Sequence, residues 1–297
     1  MHSQYRSTVP EVDQTEPMTF AGHRGITIAG DRRGDPDAPT VLLLHGGGQT
    51  RYSWGGTANA LARRGWCAIT LDARGHGESG WDAAGDYSLT AFALDVVEVA
   101  RSLDTVPFVV GASLGGCTAM LLEGEIAPAS TRAIVLVDIV PQMNVEGTDR
   151  IQRFMMDRVY EGFATLEEAR DAIAAYNSFR PPPSDLEGLK KNLRLGDDGR
   201  WRWHWDPLFA SAGPGGRGPK EITDQGRMSM ACRALRLPVM LVRGRMSDVV
   251  TVDGVDAFRS DVPHAEFVDV SGAGHMVAGD RNDAFTDAVV DFLERHR

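Results

Sequence analysis

The sequence predicts an α/β protein: a mostly parallel sheet with helices on both faces, interrupted by a long helical insertion. Short apolar runs of the length of buried strands alternate with amphipathic helical segments near both ends of the chain. Glycine-rich turns follow several of these runs. Residues 143–237, between the two alternating parts, show helical patterns and no convincing strand.

The alternating parts predict eight strands and five helices. Residues 18–21 and 25–30 have the pattern of an opening hairpin, and the later apolar runs have no polar alternation, as is typical of strands buried on both faces. The later predicted strands are residues 41–44, 67–71, 106–110, 133–137, 239–242 and 267–270. The predicted helices are residues 52–64, 90–103, 116–122, 252–259 and 284–295.

The insertion has its own signals. A capping box at residues 165–168 predicts a helix to about Tyr176, and residues 185–195 and 222–235 are predicted as further helices. The three prolines at 181–183 predict a rigid break, and the glycine-rich residues 211–218 predict a mobile loop. The resulting division is a tail at 1–17, a core at 18–141 and 237–297, and a helical lid at 142–236.

Composition restricts the class of protein. The chain of 297 residues is 42% hydrophobic and has a net charge of −10, with no basic cluster, so nucleic acid is not an expected partner. No segment approaches the length of a membrane span, and the polar start lacks the apolar core of a signal peptide. The three cysteines lie far apart, without a disulfide or metal-binding spacing, which favours a cytoplasmic protein. A homo-oligomer remains an option.

The most informative motif is Gly111-Ala112-Ser113-Leu114-Gly115. It stands between a predicted buried strand and a predicted helix, which is the context of a nucleophile elbow. In such a turn the serine adopts a strained backbone conformation, and small neighbours let the strand and the helix approach closely. A plain glycine turn is the alternative interpretation. The elbow predicts Ser113 as a nucleophile exposed at the carboxyl edge of the sheet.

A glycine-rich loop follows the strand at 41–44. His45-Gly46-Gly47-Gly48 exposes backbone N–H groups at the same edge, and with the N–H of Leu114 it can form an oxyanion hole. The predicted donors are Gly47 and Leu114, with Gly48 as a near alternative to Gly47. The competing interpretation is again a simple turn.

A histidine and two carboxylates complete the predicted site. His275, in Gly272-Ala273-Gly274-His275, follows the last predicted strand, and Asp248 lies in the loop after the strand at 239–242. The chain order serine, aspartate, histidine is that of a hydrolase triad. Asp138 also follows a strand and is a second candidate for the acid. We choose Asp248, and expect Asp138 to tie the start of the insertion to backbone N–H groups.

These motifs, together with Asp72-Ala73-Arg74-Gly75-His76-Gly77-Glu78-Ser79, resemble the α/β-hydrolase superfamily over the chain from about residue 18 onward. The resemblance implies a serine nucleophile, a base at His275, an orienting acid at Asp248 and an acyl-serine intermediate. It implies no organic cofactor. The eight histidines show no zinc-binding spacing, so no metal is expected either.

The resemblance extends to several subclasses. Serine at the elbow disfavours the epoxide hydrolases and haloalkane dehalogenases, which use aspartate there. Bacterial esterases, carbon–carbon bond hydrolases and cofactor-free haloperoxidases resemble the chain, although Gln49-Thr50 departs from the Pro-Gly that often follows the glycine loop of the carbon–carbon hydrolases. We expect a hydrolase of a small apolar carboxylic ester. The alternatives are a carbon–carbon hydrolase, lactonase, thioesterase or perhydrolase, and a non-enzymatic ligand receptor on the same fold.

Three tryptophans alternate at Trp201, Trp203 and Trp205 in the insertion. One interpretation is that they anchor the insertion onto the core. The other is that Trp203 and Trp205 form a wall of an apolar substrate pocket.

Overall fold

The computed structural model describes residues 14–176, 185–211, 224–275 and 283–297. Its strands are β1 (Glu16–Ala21), β2 (Thr27–Arg33), β3 (Thr40–Leu44), β4 (Cys67–Leu71), β5 (Phe108–Ala112), β6 (Ile134–Val137), β7 (Leu193–Leu195), β8 (Trp201–Trp203), β9 (Val239–Gly244) and β10 (Glu266–Val270). Eight of them form one sheet in the order β1-β2-β4-β3-β5-β6-β9-β10. β2 pairs antiparallel with β1 and β4, and the other pairs are parallel. The predicted fold class and its mostly parallel sheet are confirmed.

The helices follow the predicted pattern closely in the core. The α-helices of the core and of the inserted region together are α1 (Gly55–Arg63), α2 (Leu89–Arg101), α3 (Leu114–Leu121), α4 (Val145–Met156), α5 (Leu166–Tyr176), α6 (Pro207–Ala210), α7 (Gln225–Ala234), α8 (Val252–Asp261) and α9 (Asp283–Arg295). α2 begins where the Ser88 hydroxyl accepts a hydrogen bond from the Ala91 N–H, and Thr251 caps α8 through the Gly254 N–H in the same way.

The sheet divides the core into two layers. Alternate residues of each buried strand face opposite sides: Phe108 and Val110 pack with residues of α1 and α9, whereas Val109 packs with residues of α2, α3 and α8. This arrangement explains why β3, β4 and β5 are continuous apolar runs, because both of their faces are buried. Each fully buried aliphatic or aromatic side chain contributes about 1.5–3 kcal/mol to stability.

Parallel pairing brings the predicted functional loops together. The carboxyl ends of β3, β5, β6, β9 and β10 lie at one edge of the sheet. In an open α/β sheet this edge is where ligands bind.

The region between β6 and β9 differs in part from the prediction, and its helices α4 and α6 were not predicted. It contains a two-stranded antiparallel sheet of β7 and β8, whereas we expected helices only. Residues 185–195, predicted as a helix, form a 3₁₀ turn at Glu187–Lys191 and then β7.

The tight turn between β7 and β8 explains the difference. The Gly196 N–H donates to the Arg200 carbonyl at 2.8 Å, and Gly199 has a φ of 77° that favours glycine. The guanidinium of Arg202 pairs with the Asp198 carboxylate at 2.6 Å across this turn. A Gly-Asp-Asp-Gly turn followed by alternating Trp201-Arg202-Trp203 is the signal that predicts a hairpin.

Some predictions fall outside the described residues. They are the proline break at 181–183, residues 212–218 of the glycine-rich loop, and residues 1–13 of the tail. β1 begins at Glu16, so the last two residues assigned to the tail belong to the sheet.

Candidate active site

Ser113 lies in the turn between β5 and α3 with a φ of 47° and a ψ of −112°. Residues other than glycine rarely adopt such a positive φ, so the backbone at Ser113 is strained. A Cβ atom at Gly111 would lie 2.4 Å from the Gly115 carbonyl oxygen, and a Cβ atom at Gly115 would lie 2.3 Å from the Leu44 carbonyl oxygen. Only glycine fits at either position. The strand, turn and helix expected around Ser113 are confirmed.

His275 lies between the serine and a carboxylate. Its Nε2 is 3.3 Å from the Ser113 Oγ, and its Nδ1 is 2.7 Å from the Asp138 Oδ2. The Asp138 side chain is fully buried, and that of His275 is 11% exposed. A carboxylate only accepts hydrogen bonds, so this pairing places the imidazole proton on Nδ1 and leaves the Nε2 lone pair facing the hydroxyl.

The carboxylate beside His275 belongs to Asp138, whereas the sequence argument chose Asp248. The Asp248 carboxylate instead pairs with the guanidinium of Arg150 in α4 at 2.6 Å, where both side chains are partly exposed. The prediction that Asp248 lies beside His275 is therefore wrong. Asp138 directly follows the end of β6, whereas Asp248 lies four residues beyond the end of β9, where its carboxylate pairs with α4.

Two further groups hold the Asp138 carboxylate. The Gly244 N–H donates to Oδ1 at 2.9 Å, and the Ser247 hydroxyl donates to Oδ2 at 2.6 Å. The Ser247 oxygen also accepts the N–H groups of Val249 and Val250, at 3.2 and 3.1 Å, so its own proton is directed to Asp138. Asp138 has a φ of 50°, a second strained position at the same edge. The sequence analysis did not identify Ser247.

The glycine loop lies directly over the elbow. A Cβ atom at Gly46 would lie 3.4 Å from the Ser113 Cβ, and one at Gly47 would lie 4.0 Å from the Leu114 Cβ. The Gly48 N–H donates to the His76 Nε2 at 3.1 Å, so the near alternative to Gly47 is already engaged. Leu114 is the first residue of α3, and the N–H groups of a first helical turn have no partner within the helix. The structure brings the two predicted donors together.

Apolar side chains from the inserted region cover this loop. The Trp205 Cζ3 and the Met155 Cε would lie 3.2 and 3.1 Å from a Cβ at Gly48, and the Phe209 Cζ would lie 3.2 Å from one at Gly47. The sequence analysis named Trp205 but missed Met155 and Phe209, because their spacing gives no sign that they face the core.

Trp203 lies one layer farther from the glycine loop. Its ring stacks on that of Trp205 at 4.7 Å and 10°, and it meets Phe154 and Phe163 edge-on. Trp203 and Trp205 are 5% and 3% exposed. This packing supports an anchoring role for Trp203 and places Trp205 against the candidate site.

The described residues show neither a metal-binding cluster nor a reactive thiol at Cys117. No group of three or more His, Cys, Asp or Glu side chains among them could hold a metal ion. Burial raises the pKa of the Cys117 thiol to about 12, so it is protonated at neutral pH. Over the same residues, no helix is both long and apolar enough to span a membrane.

Comparisons with known proteins agree with this fold. The family model of the alpha/beta hydrolase fold matches residues 39–281. Esterase Rv0045c of Mycobacterium tuberculosis is 29% identical over 266 residues, which are 86% of this chain and 83% of that protein. Its crystal structure superposes with a TM-score of 0.72 over 95% of this chain and 92% of that chain.

Two further relatives are similar over most of the chain. Mouse sn-1-specific diacylglycerol lipase ABHD11 is 28% identical, over 88% of this chain and 82% of that protein. The crystal structure of an alpha/beta hydrolase from Novosphingobium aromaticivorans has a TM-score of 0.78 at 25% identity, over 95% of this chain and 98% of that chain. With a family model that matches most of its length, an elbow serine and a histidine aligned with it, this chain belongs to the α/β-hydrolase fold family.

Proposed function

We propose that this protein is a serine hydrolase that cleaves a small apolar carboxylic ester through an acyl-serine intermediate. One observation carries the proposal: Ser113 Oγ, His275 and the buried Asp138 carboxylate form a continuous hydrogen-bonded series under the glycine loop. Relatives named esterase and diacylglycerol lipase support the ester as the substrate class.

Acylation begins with the serine. The Ser113 Oγ attacks the ester carbonyl carbon while the His275 Nε2 accepts the hydroxyl proton, which leaves an imidazolium beside the Asp138 carboxylate. The N–H groups of Gly47 and Leu114 donate to the oxyanion of the tetrahedral intermediate. Each such donor is worth about 10²–10³ in kcat.

The leaving alcohol takes the proton back. Collapse of the intermediate breaks the bond to the alkoxy oxygen, and His275 protonates that oxygen, so the alcohol leaves and the acyl group stays on Ser113. Water then attacks the acyl carbon with His275 again as the base, which releases the acid and restores the serine. A positioned general base of this kind raises the reaction rate about 10²–10⁴-fold.

Asp138 takes the role that the sequence argument assigned to Asp248. It accepts a hydrogen bond from the Nδ1–H of His275 and holds the ring in the tautomer that presents Nε2 to the serine. Its full burial and its other two donors fix the carboxylate in one orientation.

The inserted region acts as a lid, and its side chains favour an apolar substrate. Met155, Trp205 and Phe209 contact the glycine loop and exclude water from the place where the oxyanion forms. All three side chains are less than one tenth exposed. A substrate that enters between the lid and the loop meets apolar surface.

The test is the removal of the nucleophile. Ser113→Ala should fold normally and lose at least ~10³-fold in kcat on p-nitrophenyl butyrate, because no other described group replaces the serine. A fluorophosphonate should add to Ser113 in the wild-type protein, as mass spectrometry of the peptides would show. Ser102→Ala, at the exposed end of α2, is the matched control and should keep full activity.

Persistent ester hydrolysis by Ser113→Ala would contradict the nucleophile assignment. If Ser113→Ala is inactive, a panel of esters, lactones and thioesters with matched acyl groups ranks the substrate classes, since all three acylate the same serine.

A further inference from the structure

Two loops at the active-site edge are joined by a reciprocal pair of histidines. His45 belongs to the glycine loop, and His76 belongs to the loop of residues 72–79, which we call the brace loop. The His45 Nε2 accepts the N–H of Ala73 in the brace loop at 3.0 Å, and the His76 Nε2 accepts the N–H of Gly48 in the glycine loop at 3.1 Å. Each ring therefore holds the backbone of the other loop.

The second nitrogen of each ring is held within its own loop. The His45 Nδ1 donates to the Gly46 carbonyl at 2.7 Å, and the His76 Nδ1 donates to the Arg74 carbonyl at 3.0 Å. Both rings are buried, at 2% and 0% exposure. Burial lowers the pKa of His45, and it lowers the pKa of His76 to about 3. Both rings are neutral at working pH, so each Nε2 keeps the lone pair that an acceptor needs.

These bonds fix the two peptide units on either side of Gly47. The Gly46 carbonyl accepts the His45 Nδ1–H and, at 3.1 Å, the N–H of Gln49. A trans peptide is planar with its C=O and N–H pointing opposite ways, so fixing the Gly46 carbonyl also aims the Gly47 N–H. The bond from the Gly48 N–H to His76 fixes the next peptide unit. Gly47 has no side chain that could do this.

We propose that His76 is a positioning residue for the oxyanion hole. By accepting the N–H of Gly48 it keeps that donor away from the substrate and holds Gly47 in the orientation in which its own N–H faces the oxyanion. The ring of Phe209 packs edge-on against His76 at 4.4 Å and keeps this hydrogen bond out of water. This inference rests on the proposed function, since it concerns the oxyanion of the same reaction.

The test compares three substitutions of His76. His76→Leu removes the acceptor and should lower kcat on p-nitrophenyl butyrate about 10–100-fold with KM changed less than about 3-fold, because a displaced donor weakens only the transition state. The inhibition constant of a trifluoromethyl ketone, whose hemiketal oxyanion occupies the same place, should rise by the same factor. His76→Gln offers an amide oxygen and should recover part of the loss, whereas the shorter His76→Asn should not.

Ser79→Ala is the matched control. Its hydroxyl lies in the same brace loop and is also buried, where it accepts the Ala29 N–H at 2.9 Å and donates to the Asp72 carbonyl at 2.6 Å. No hydrogen bond joins it to the described glycine loop. Ser79→Ala should lower the melting temperature and leave kcat and the ketone inhibition constant within about 3-fold of wild type.

The loops should remain joined when His76 is replaced, because the His45 Nε2 still accepts the N–H of Ala73 at 3.0 Å. If His76→Leu nevertheless fails to fold, the comparison of His76→Gln with His76→Asn tests the same point. Unchanged kcat and ketone affinity in the His76 variants, or an equal loss in Ser79→Ala, would overturn the inference. Failure of the wild-type protein to react with a fluorophosphonate at Ser113 would instead overturn the proposed function.

Discussion

Asp138 and Asp248 follow neighbouring parallel strands, but the two carboxylates lie in different environments. Asp138 comes directly after β6, is fully buried, and accepts hydrogen bonds from His275, Gly244 and Ser247. Asp248 lies four residues beyond the end of β9, is one third exposed, and pairs with Arg150. Only the first region is arranged around a carboxylate.

The difference shows what a buried acid requires. Burying a carboxylate without partners is strongly unfavourable, so the chain must supply donors that take the place of water. β9 and its loop supply two of them to Asp138, through a backbone N–H and a hydroxyl. Asp248 needs no such support because water reaches it. The loop after β9 therefore serves the site through Ser247, one residue before the acid that we had chosen.

The largest expected effect separates the two carboxylates. Asp138→Asn should lower kcat by up to about 10⁴-fold, because its amide would face the Nδ1 proton of His275 and favour the wrong tautomer. Asp248→Asn should change kcat by less than about 3-fold. Steady-state kinetics on p-nitrophenyl butyrate measure both values, and circular dichroism melting curves check that both variants fold.

The opposite result, a large loss of kcat in Asp248→Asn and a small one in Asp138→Asn, would assign the orienting carboxylate to Asp248. It would mean that the loop after β9 rearranges when substrate binds. The assignments of Ser113 and His275 would stand in either case.

A smaller effect tests the support of Asp138 by its neighbour. Ser247→Ala should lower kcat about 10-fold, because a hydrogen bond to a charged group is worth about 1.5–3 kcal/mol and about 1.4 kcal/mol in the barrier is a factor of ten. Ser247→Thr keeps the hydroxyl and should recover most of the activity. A lower melting temperature with an unchanged kcat would show that Ser247 contributes only by accepting the N–H groups of Val249 and Val250.

The smallest effect concerns the ion pair of Asp248. In a double-mutant cycle of Arg150→Ala and Asp248→Ala, the coupling free energy of unfolding should be about 1 kcal/mol or less and should fall as salt is added, because both side chains are partly exposed. Urea unfolding at two salt concentrations measures it. A coupling above about 2 kcal/mol that salt does not change would show that this pair is shielded from water, contrary to its exposure in the structure.

Much of the site could be predicted because its signals are local. The glycines around Ser113 are needed for a strand and a helix to meet within five residues, and the apolar runs of β3 and β5 mark strands with two buried faces. The hairpin of β7 and β8 was missed although its turn is also local, because the surrounding segment was interpreted by its helical spacing alone.

By itself the sequence determined the α/β class, the elbow at Ser113, the glycine loop and His275, each of which depends on residues adjacent along the chain. The tertiary structure decided which carboxylate meets His275, that Ser247 holds it, and that His76 and Phe209 lie on the glycine loop. These contacts join residues that are distant in sequence. The order of strands in the sheet and the packing of side chains bring them together, and neither of these is expressed in local spacing.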